Sequence, residues 1–355
     1  MLKRILFLCL ALVLVLIAVL TGCTKSTPAE TQPFVMKVAP STVPPPPALG
    51  QTLVLDNQLK NIATLTKGRI KPEIYWSQTL AKATDMTSAV QTGLADMALI
   101  RPYGEPGKLP LSSIGEMPGV STDMWSLLWA YWDLVNQEPI KTSEMAKYKM
   151  RPIWTVFTQE VILITKGPVR TLADVKGKKI AAGGIAAEIL KSLGAVPLAM
   201  SPTEQYEGLL RGTIDGIAAP PDAMQVFKFY EAGKYITNLY LGPRMQPFVI
   251  NQDAWDKLPA DLQKIITNAL PDQINISYKG MFEDTNGPVY KEMAAAGVET
   301  IKLSAADLAE VEKIRAAYAD KWAADQEAKG LAGKKVLADY RSLVAKYEKK
   351  SPYKK

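Results

Sequence analysis

A chain of 355 residues, 48% hydrophobic and 22% charged, is long enough for two domains with cores of their own, and its composition is neither that of a disordered segment nor that of a fibre. It contains no histidine, which excludes Ser-His-Asp and Cys-His catalysis and every His-ligated metal site. Its formal charge of +7 falls to +5 without Lys3 and Arg4, a modest field that attracts anionic ligands or anionic lipid, and no basic-aromatic motif points to nucleic acid.

The chain begins with a short basic segment, Lys3-Arg4, and continues through an almost wholly apolar run from Ile5 to Leu20. Small residues, Thr21-Gly22, precede Cys23. This is the pattern of an export signal, so residues 1–22 are expected to be removed. A cysteine directly behind the small pair has the form of a lipobox, and Cys23 is the expected lipidation site. The other reading is an uncleaved membrane anchor; in both, the body is exported and held at a membrane. The only other cysteine, Cys9, leaves with the signal, so the body has neither a disulfide nor a thiol nucleophile. Residues 23–33 read as the lipidated cysteine and a polar tether.

Phe34 to Val38 reads as the first strand. The proline run 44–47 then demands a loop, because proline cannot sit inside a helix or a central strand. A helix follows with Leu55, Leu59 and Ile62 on one face, ending near Gly68. "RIKPEIYW" is a second strand, "ATDMTSAVQTG" a short helix closed by Gly93, and "LADMALI" a third strand. Such a βαβαβ series implies a parallel sheet covered by helices. Residues 122–137 form an amphipathic helix with Trp125, Leu128, Trp129, Trp132 and Val135 on one face; core packing is the favoured reading over an aromatic ligand platform. A second series starts near Arg151, with strands "RPIWTVF", "EVILIT", "KKIAA", "VPLAM" and "TIDGIAA". Helices lie between them: "AAEILKSLG" ends at Gly194, and Ser201-Pro202-Thr203-Glu204 is a capping box that starts another with Tyr206, Leu209 and Leu210 on its apolar face. "PDAMQVFKFYEAGKY" reads as one further helix. Beyond Gln252 helices dominate, with a break at Pro271, a late strand "VETIKL", a long helix from Ser304 to about Gly330 and a last one from about Lys334 to Lys349. No sequence repeat is evident. Asp215 and Gly216 read as a turn and strand-start device.

Five segments in fixed order carry a resemblance. "KGRIKPEIYWSQTLAKATDMTSAVQTGLADMAL", "TLADVKGKKI", "LGAVPLAMSPTEQYEGLLRGTIDGIAAP", "YEAGKYIT" and "INQDAWDKLPADLQKII" together resemble the solute-binding subunits of TRAP transporters, DctP type, over roughly Phe34 to Leu270. The resemblance implies an α/β, two-lobed periplasmic-binding-protein-like fold. A ligand cleft would lie between the lobes, and C-terminal helices would wrap both. It puts lobe I at 34–154 plus about 247–285, and lobe II with the wrapping helices at 155–246 plus about 290–350. Hinges would lie near 153–157 and 244–250. The expected activity is capture of a small organic solute, usually a carboxylate, by lobe closure, and delivery to TRAP membrane permease subunits. Tethering by lipid would raise the receptor's effective concentration there. No cofactor and no metal is implied, and a monomer is expected.

In the family an arginine follows the "K-I" strand and grips the ligand carboxylate; here that position is Ala181. A second family arginine falls near Glu160. Both departures argue against a plain dicarboxylate clamp, so a neutral or cationic solute, with Glu160 taking part, stays open. Gly183 and Gly184, at a strand-to-helix junction, leave room for an anion at a helix N-terminus. Arg101 follows the third strand, where open α/β folds bind ligands, and is the expected replacement cation. Arg244 is a weaker one. By the same strand-end reasoning Trp76 and Gln78 with Tyr75, Tyr103, Trp154 with Phe157, Pro220 and Asp222 with Met224, and Gln246 and Phe248 are cleft candidates. A sensor of the same fold serving a membrane kinase is the alternative partner reading. An enzyme is disfavoured, since no "S-x-x-K" in a helical setting, "G-x-G-x-x-G" or P-loop is present.

Overall fold

The computed structural model describes residues 32–40, 42 and 50–353. The expected signal, Cys23, most of the tether and the proline run lie outside the described residues. The first half of the chain forms β1 (Phe34–Ala39), α1 (Gln51–Leu65), β2 (Ile70–Ile74), α2 (Met86–Gln91), β3 (Met97–Leu99), α3 (Met124–Val135) and β4 (Met150–Thr158). The second series is β5 (Ile162–Thr165), β6 (Lys179–Ala181), α4 (Gly184–Ser192), β7 (Val196–Leu198), α5 (Pro202–Arg211), β8 (Gly216–Ala219), α6 (Pro221–Val226), α7 (Phe229–Ala232) and β9 (Tyr235–Thr237). Then come β10 (Arg244–Asn251), α8 (Gln252–Asp256), α9 (Ala260–Asn268), α10 (Leu270–Met281), α11 (Gly287–Ala295), β11 (Glu299–Ile301), α12 (Ala305–Glu327) and α13 (Gly333–Glu348).

Two sheets result, one per lobe. The first has the order β2-β1-β3-β10-β4 and the second β11-β9-β5-β8-β6-β7. Strands β1, β2 and β3 are parallel, as the βαβαβ pattern requires, and β10 returns antiparallel between β3 and β4. The chain crosses between sheets at residues 159–161 and again at 238–243. The expected boundary after Trp154 therefore falls inside β4, which stays in the first sheet to Thr158 because it pairs with β10 over its whole length.

Each lobe starts a parallel pair with the same device. Gly93 and Gly212, at φ +74 and +76, end a helix in the left-handed conformation that glycine adopts without a Cβ clash. Three residues on, Asp96 and Asp215 each accept from an amide of the neighbouring strand, Lys37 N at 2.8 Å and Lys179 N at 2.7 Å. Each aspartate amide in turn donates to that lysine's carbonyl, at 2.9 and 2.7 Å. A repeat thus exists, as G-x-x-D, too short to register as sequence self-similarity.

The C-terminal helices bind the lobes together. The 23-residue helix α12 buries Val311 in the second lobe's core and Ala319, Trp322 and Ala323 in the first lobe's. The last helix, α13, was expected with lobe II, but its Val336, Leu337, Tyr340 and Val344 join the first core against α3. The core packing expected of α3 is present, with Leu128 and Val135 in this core and Trp129 and Trp132 packed against it. Its fully buried stripe is Leu127, Leu128, Ala130, Tyr131 and Val135, while Trp125, Trp129 and Trp132 are half-buried. Trp129 stacks on Tyr347 of α13 at 5.8 Å, so the tryptophans form a helix–helix seam. Two smaller expectations also change. Leu210 is exposed, and the helix expected over 221–235 breaks at Lys228, whose φ of +55 no helix accommodates.

Candidate functional site

The antiparallel register of β10 assembles one row of polar side chains. Gln246 pairs with Val156 and Phe248 with Trp154, and on the other side Phe248 pairs with Leu99. Ile100 N donates to Pro247 O (3.0 Å), so continuation of the ladder sets Arg101 opposite Gln246. Cross-strand neighbours share a face, which gathers Arg101, Gln246, Trp154 and Phe248 on one side of the first sheet. The N-terminus of α1 meets this face through Gln51.

The hydrogen-bond directions here follow from chemistry alone. A guanidinium only donates, so Arg101 Nη2 donates to Gln51 Oε1 (3.1 Å), leaving Gln51 Nε2 as donor. It donates to Gln246 Oε1 at 2.7 Å. Gln246, fully buried, then has only its Nε2 left, and that group has no partner. Arg101 Nε is likewise buried and unpaired, as is the indole Nε1 of Trp154. Three buried donors on one face lack an acceptor. Each unsatisfied donor costs about 1–3 kcal/mol, so the face is built to receive an acceptor.

The second lobe closes the other side. A methyl group on Gly50, at the start of α1, would collide with the Asp222 carboxylate of α6, so the lobes touch there. Asp222 also accepts from Ala223 N (2.9 Å) at the start of its own helix. A cavity of about 770 Å³ opens between the lobes. Tyr103, Glu116 and Arg244 line it from one side, Ala182, Gly183 and Gly184 from the other. Arg244 lies over the Tyr103 ring at 5.1 Å. Burial pushes the Glu116 carboxyl up to about 8 against the pull of Arg244, and one of its oxygens has no hydrogen-bond partner. Burial likewise raises Asp222, again opposed by Arg244.

The expected site residues divide accordingly. Tyr103, Gly183 and Gly184 line the cavity between the lobes; Arg101 and Gln246 are joined through Gln51 on the face of the first sheet; Asp222 meets Gly50, the residue before Gln51; and Pro220 is half-buried just before α6. Both glycines face open space, Gly184 at φ +57. Trp154 and Phe248 stack face to face at 4.6 Å and 8° as floor, fully buried. Four candidates sit elsewhere. Trp76 and Gln78 follow the edge strand β2 and line neither large cavity; Gln78 Oε1 accepts from Ala83 N (2.8 Å), a turn bond. Ala181 is fully buried in the second lobe's apolar core with Leu209, Ile217 and Met224, because alternation along β6 sends Ala182, not Ala181, to the cleft. Glu160 lies against Arg315 at 3.6 Å and lines a different cavity. Gln51 and Glu116 escaped sequence reasoning: no pattern marks them, and only the fold brings them beside Arg101 and Arg244.

Among the described residues, no helix is long and apolar enough to cross a membrane, and no group of three or more metal-ligating side chains occurs. The model of the bacterial extracellular solute-binding proteins of family 7, DctP, matches residues 50–326. The 2,3-diketo-L-gulonate-binding periplasmic protein YiaO of Escherichia coli is 27% identical over 238 residues, 66% of this chain and 72% of that protein. The C4-dicarboxylate-binding periplasmic protein DctP of Rhodobacter capsulatus is 24% identical over 300 residues, 81% of this chain and 86% of that one. A TRAP periplasmic solute-binding protein from Desulfovibrio salexigens, solved as an open complex, superposes with a TM-score of 0.78 at 27% identity, covering 90% of this chain and 98% of that one. With the family match running through both sheets and α12, this chain belongs to the DctP family of bacterial extracellular solute-binding proteins.

Proposed function

We propose that this receptor captures a small organic acid between its lobes and delivers it to a TRAP membrane permease, held near that permease by lipid on Cys23. One observation carries the ligand class: the relay from Arg101 through Gln51 ends on the free, buried Nε2 of Gln246, with Arg101 Nε and Trp154 Nε1 also free. A carboxylate supplies acceptors to such donors, and a charge-assisted bond is the stronger for being buried. Arg101 takes the part of the arginine missing at Ala181, and Arg244 adds a second cation at the cleft. The carboxylate ligands named for the relatives in E. coli and R. capsulatus agree in charge. Binding is the whole of the activity, with closure about the 159–161 and 238–243 crossings trapping the acid.

The test is a thermal-unfolding screen of matched organic acids, their amides and amine analogues. A ligand that binds only the native state adds about 2.7 kcal/mol at a hundredfold excess over its dissociation constant. Acids should raise the midpoint and amides should not. Gln246→Leu and Arg101→Leu should each weaken the best acid by about tenfold or more, the loss of a buried charge-assisted bond. Stabilisation by amides or amines at this cleft, with acids inert, would overturn the reading.

A further inference from the structure

The short 3-10 turn Ser112–Glu116 is pinned from behind. Glu144, 2% exposed, accepts from Leu111 N (2.6 Å) and Ser112 N (2.9 Å), and the Tyr131 hydroxyl donates to Ser112 O (2.8 Å). Gly115 leaves the turn no slack: a methyl group there would lie 2.6 Å from the Tyr131 ring and 3.0 Å from Met245 of β10. The last residue of the turn, Glu116, is thereby fixed beside the start of β10, and its side chain lines the cavity between the lobes.

Glu116 is 8% exposed, and its Oε1 has no hydrogen-bond partner. Arg244 acts on it through charge alone. An oxygen left this way is costly once the cleft shuts out water. The neighbouring hydroxyl on the same wall is already committed: Ser113 Oγ donates to Pro110 O (2.6 Å) and accepts from Trp322 Nε1 (3.0 Å). On the opposite wall Ala182, Gly183 and Gly184 offer no polar side chain. A ligand group entering here therefore meets Arg244, which can only donate, and Glu116, whose free oxygen accepts. A hydroxyl serves both, accepting from the guanidinium and donating to the carboxyl. An ammonium group would face the charge of Arg244. A second carboxylate would be the third carboxyl group, after Glu116 and Asp222, around one guanidinium. Arg244 and Gln246 are two residues apart on β10, in a stretch that pairs with β4 without a register shift. Both side chains thus lie on one face of the sheet, set about 7 Å apart along the strand. The free donors of Gln246 and Arg101 mark one end of that row, and Glu116 with Arg244 the other.

We propose that Glu116 selects the solute: the acid carries a hydroxyl about 7 Å from its carboxylate, and Glu116 and Arg244 receive that hydroxyl together. This rests on the acid reading of the cleft and supplies the other end of the ligand. Burial holds the Glu116 carboxyl up at about 8, so near neutral pH it can donate as well as accept, and a hydroxyl is met in either state. A site built to bond a hydroxyl discriminates strongly against the analogue that lacks it, because its own buried polar groups are then left unpaired.

The experiment is calorimetric titration of the protein with matched pairs: pentanoate against 5-hydroxypentanoate, and cyclohexanecarboxylate against its trans-4-hydroxy form, with glutarate as the diacid of matching length. Each hydroxy acid should bind about tenfold tighter than its parent, the difference one hydrogen bond to a buried carboxyl makes. The hydroxypentanoate should also bind tighter than glutarate. Glu116→Leu should bring each hydroxy-to-parent ratio close to one, whereas Glu116→Gln, which still accepts and donates, should keep most of the preference. Parents binding as tightly as their hydroxy forms, glutarate binding tightest, or a preference that survives Glu116→Leu would each overturn the proposal. The wild-type ratios decide the matter even if Glu116→Leu does not fold. If no acid binds, the cleft reading falls and this proposal with it; if the parent acids bind and the hydroxyl gains nothing, the role of Glu116 falls and the cleft reading stands.

Discussion

Stability between about pH 5.5 and 7.5 is controlled by buried carboxylates, because the chain has no histidine to titrate there. Burial raises Glu116 and Glu160 from an ordinary 4.5 to about 8 each. Asp174, Glu204, Asp261 and Glu292 are pulled below their ordinary values by hydrogen bonds and are ionised in both states across this window. The folded protein then keeps protons on Glu116 and Glu160 that the unfolded chain has released. Stability contributed by a raised carboxyl is fully present below the unfolded value and is lost as pH climbs toward the folded one. Each such group costs about 1.4 kcal/mol per pH unit, so two units cost about 2.7 kcal/mol per carboxylate and about 5 kcal/mol for the pair. Burial also raises Glu144 and Asp222, which add to the same fall, so Glu160→Gln removes one contributor and should reduce the slope by about 1.4 kcal/mol per pH unit, whatever it does to stability at any single pH. Urea unfolding followed by tryptophan fluorescence at the two pH values measures this directly. If Arg315 outweighed burial, the Glu160 carboxyl would lie below 4.5 and the variant would keep the wild-type slope. That result, or a wild type whose stability is flat or rising with pH, would refute the reasoning.

Other perturbations follow from the same packing. Ala181→Arg should not restore a carboxylate clamp: a guanidinium forced among Leu209, Ile217 and Met224 overfills a closed core, costing about 1–3 kcal/mol before any charge burial. A stable Ala181→Arg protein with tighter acid binding would show that this face opens to ligand. Gly93→Ala and Gly119→Ala share nearly the same backbone strain, φ +74 and +78, but only at Gly119 would the new Cβ lie 2.6 Å from the backbone of α12 at Ala316. Gly93→Ala should cost about 1 kcal/mol and Gly119→Ala clearly more, with equal losses in urea melts contradicting the α12 contact. Asp96→Asn and Asp215→Asn should each weaken one strand start, read as faster hydrogen exchange at Lys37 and Lys179 respectively and not at the other.

What could be read from the sequence, and what could not, separates along one physical line. Properties set within a few residues were legible: the capping box Ser201–Glu204, the helix stop at Gly93 and the parallel βαβαβ order need only local geometry and hydrophobic period. Properties set by what lies across a gap were not. The period of α3 announces core packing, but nothing local reveals that α13, about 200 residues on, supplies Tyr347 as the partner of its tryptophans. Ala181 and Ala182 are indistinguishable as sequence, yet a period of two sends one to the core and the other to the cleft. Glu160 shows the same limit in the ligand chemistry. An acid set in the cleft by the family resemblance lines a separate space, because the adjacent Val161 already occupies the cleft side. The donor relay is the extreme case. Arg101 was visible as a strand-end cation, but its meaning depends on Gln51 and Gln246, 50 and 145 positions away, and on the one direction in which three side chains can pass hydrogen bonds along. Charge alone left acid, neutral and cationic solutes open. The orientation of two amides, imposed by a guanidinium that cannot accept, is what the proposal of an acid rests on.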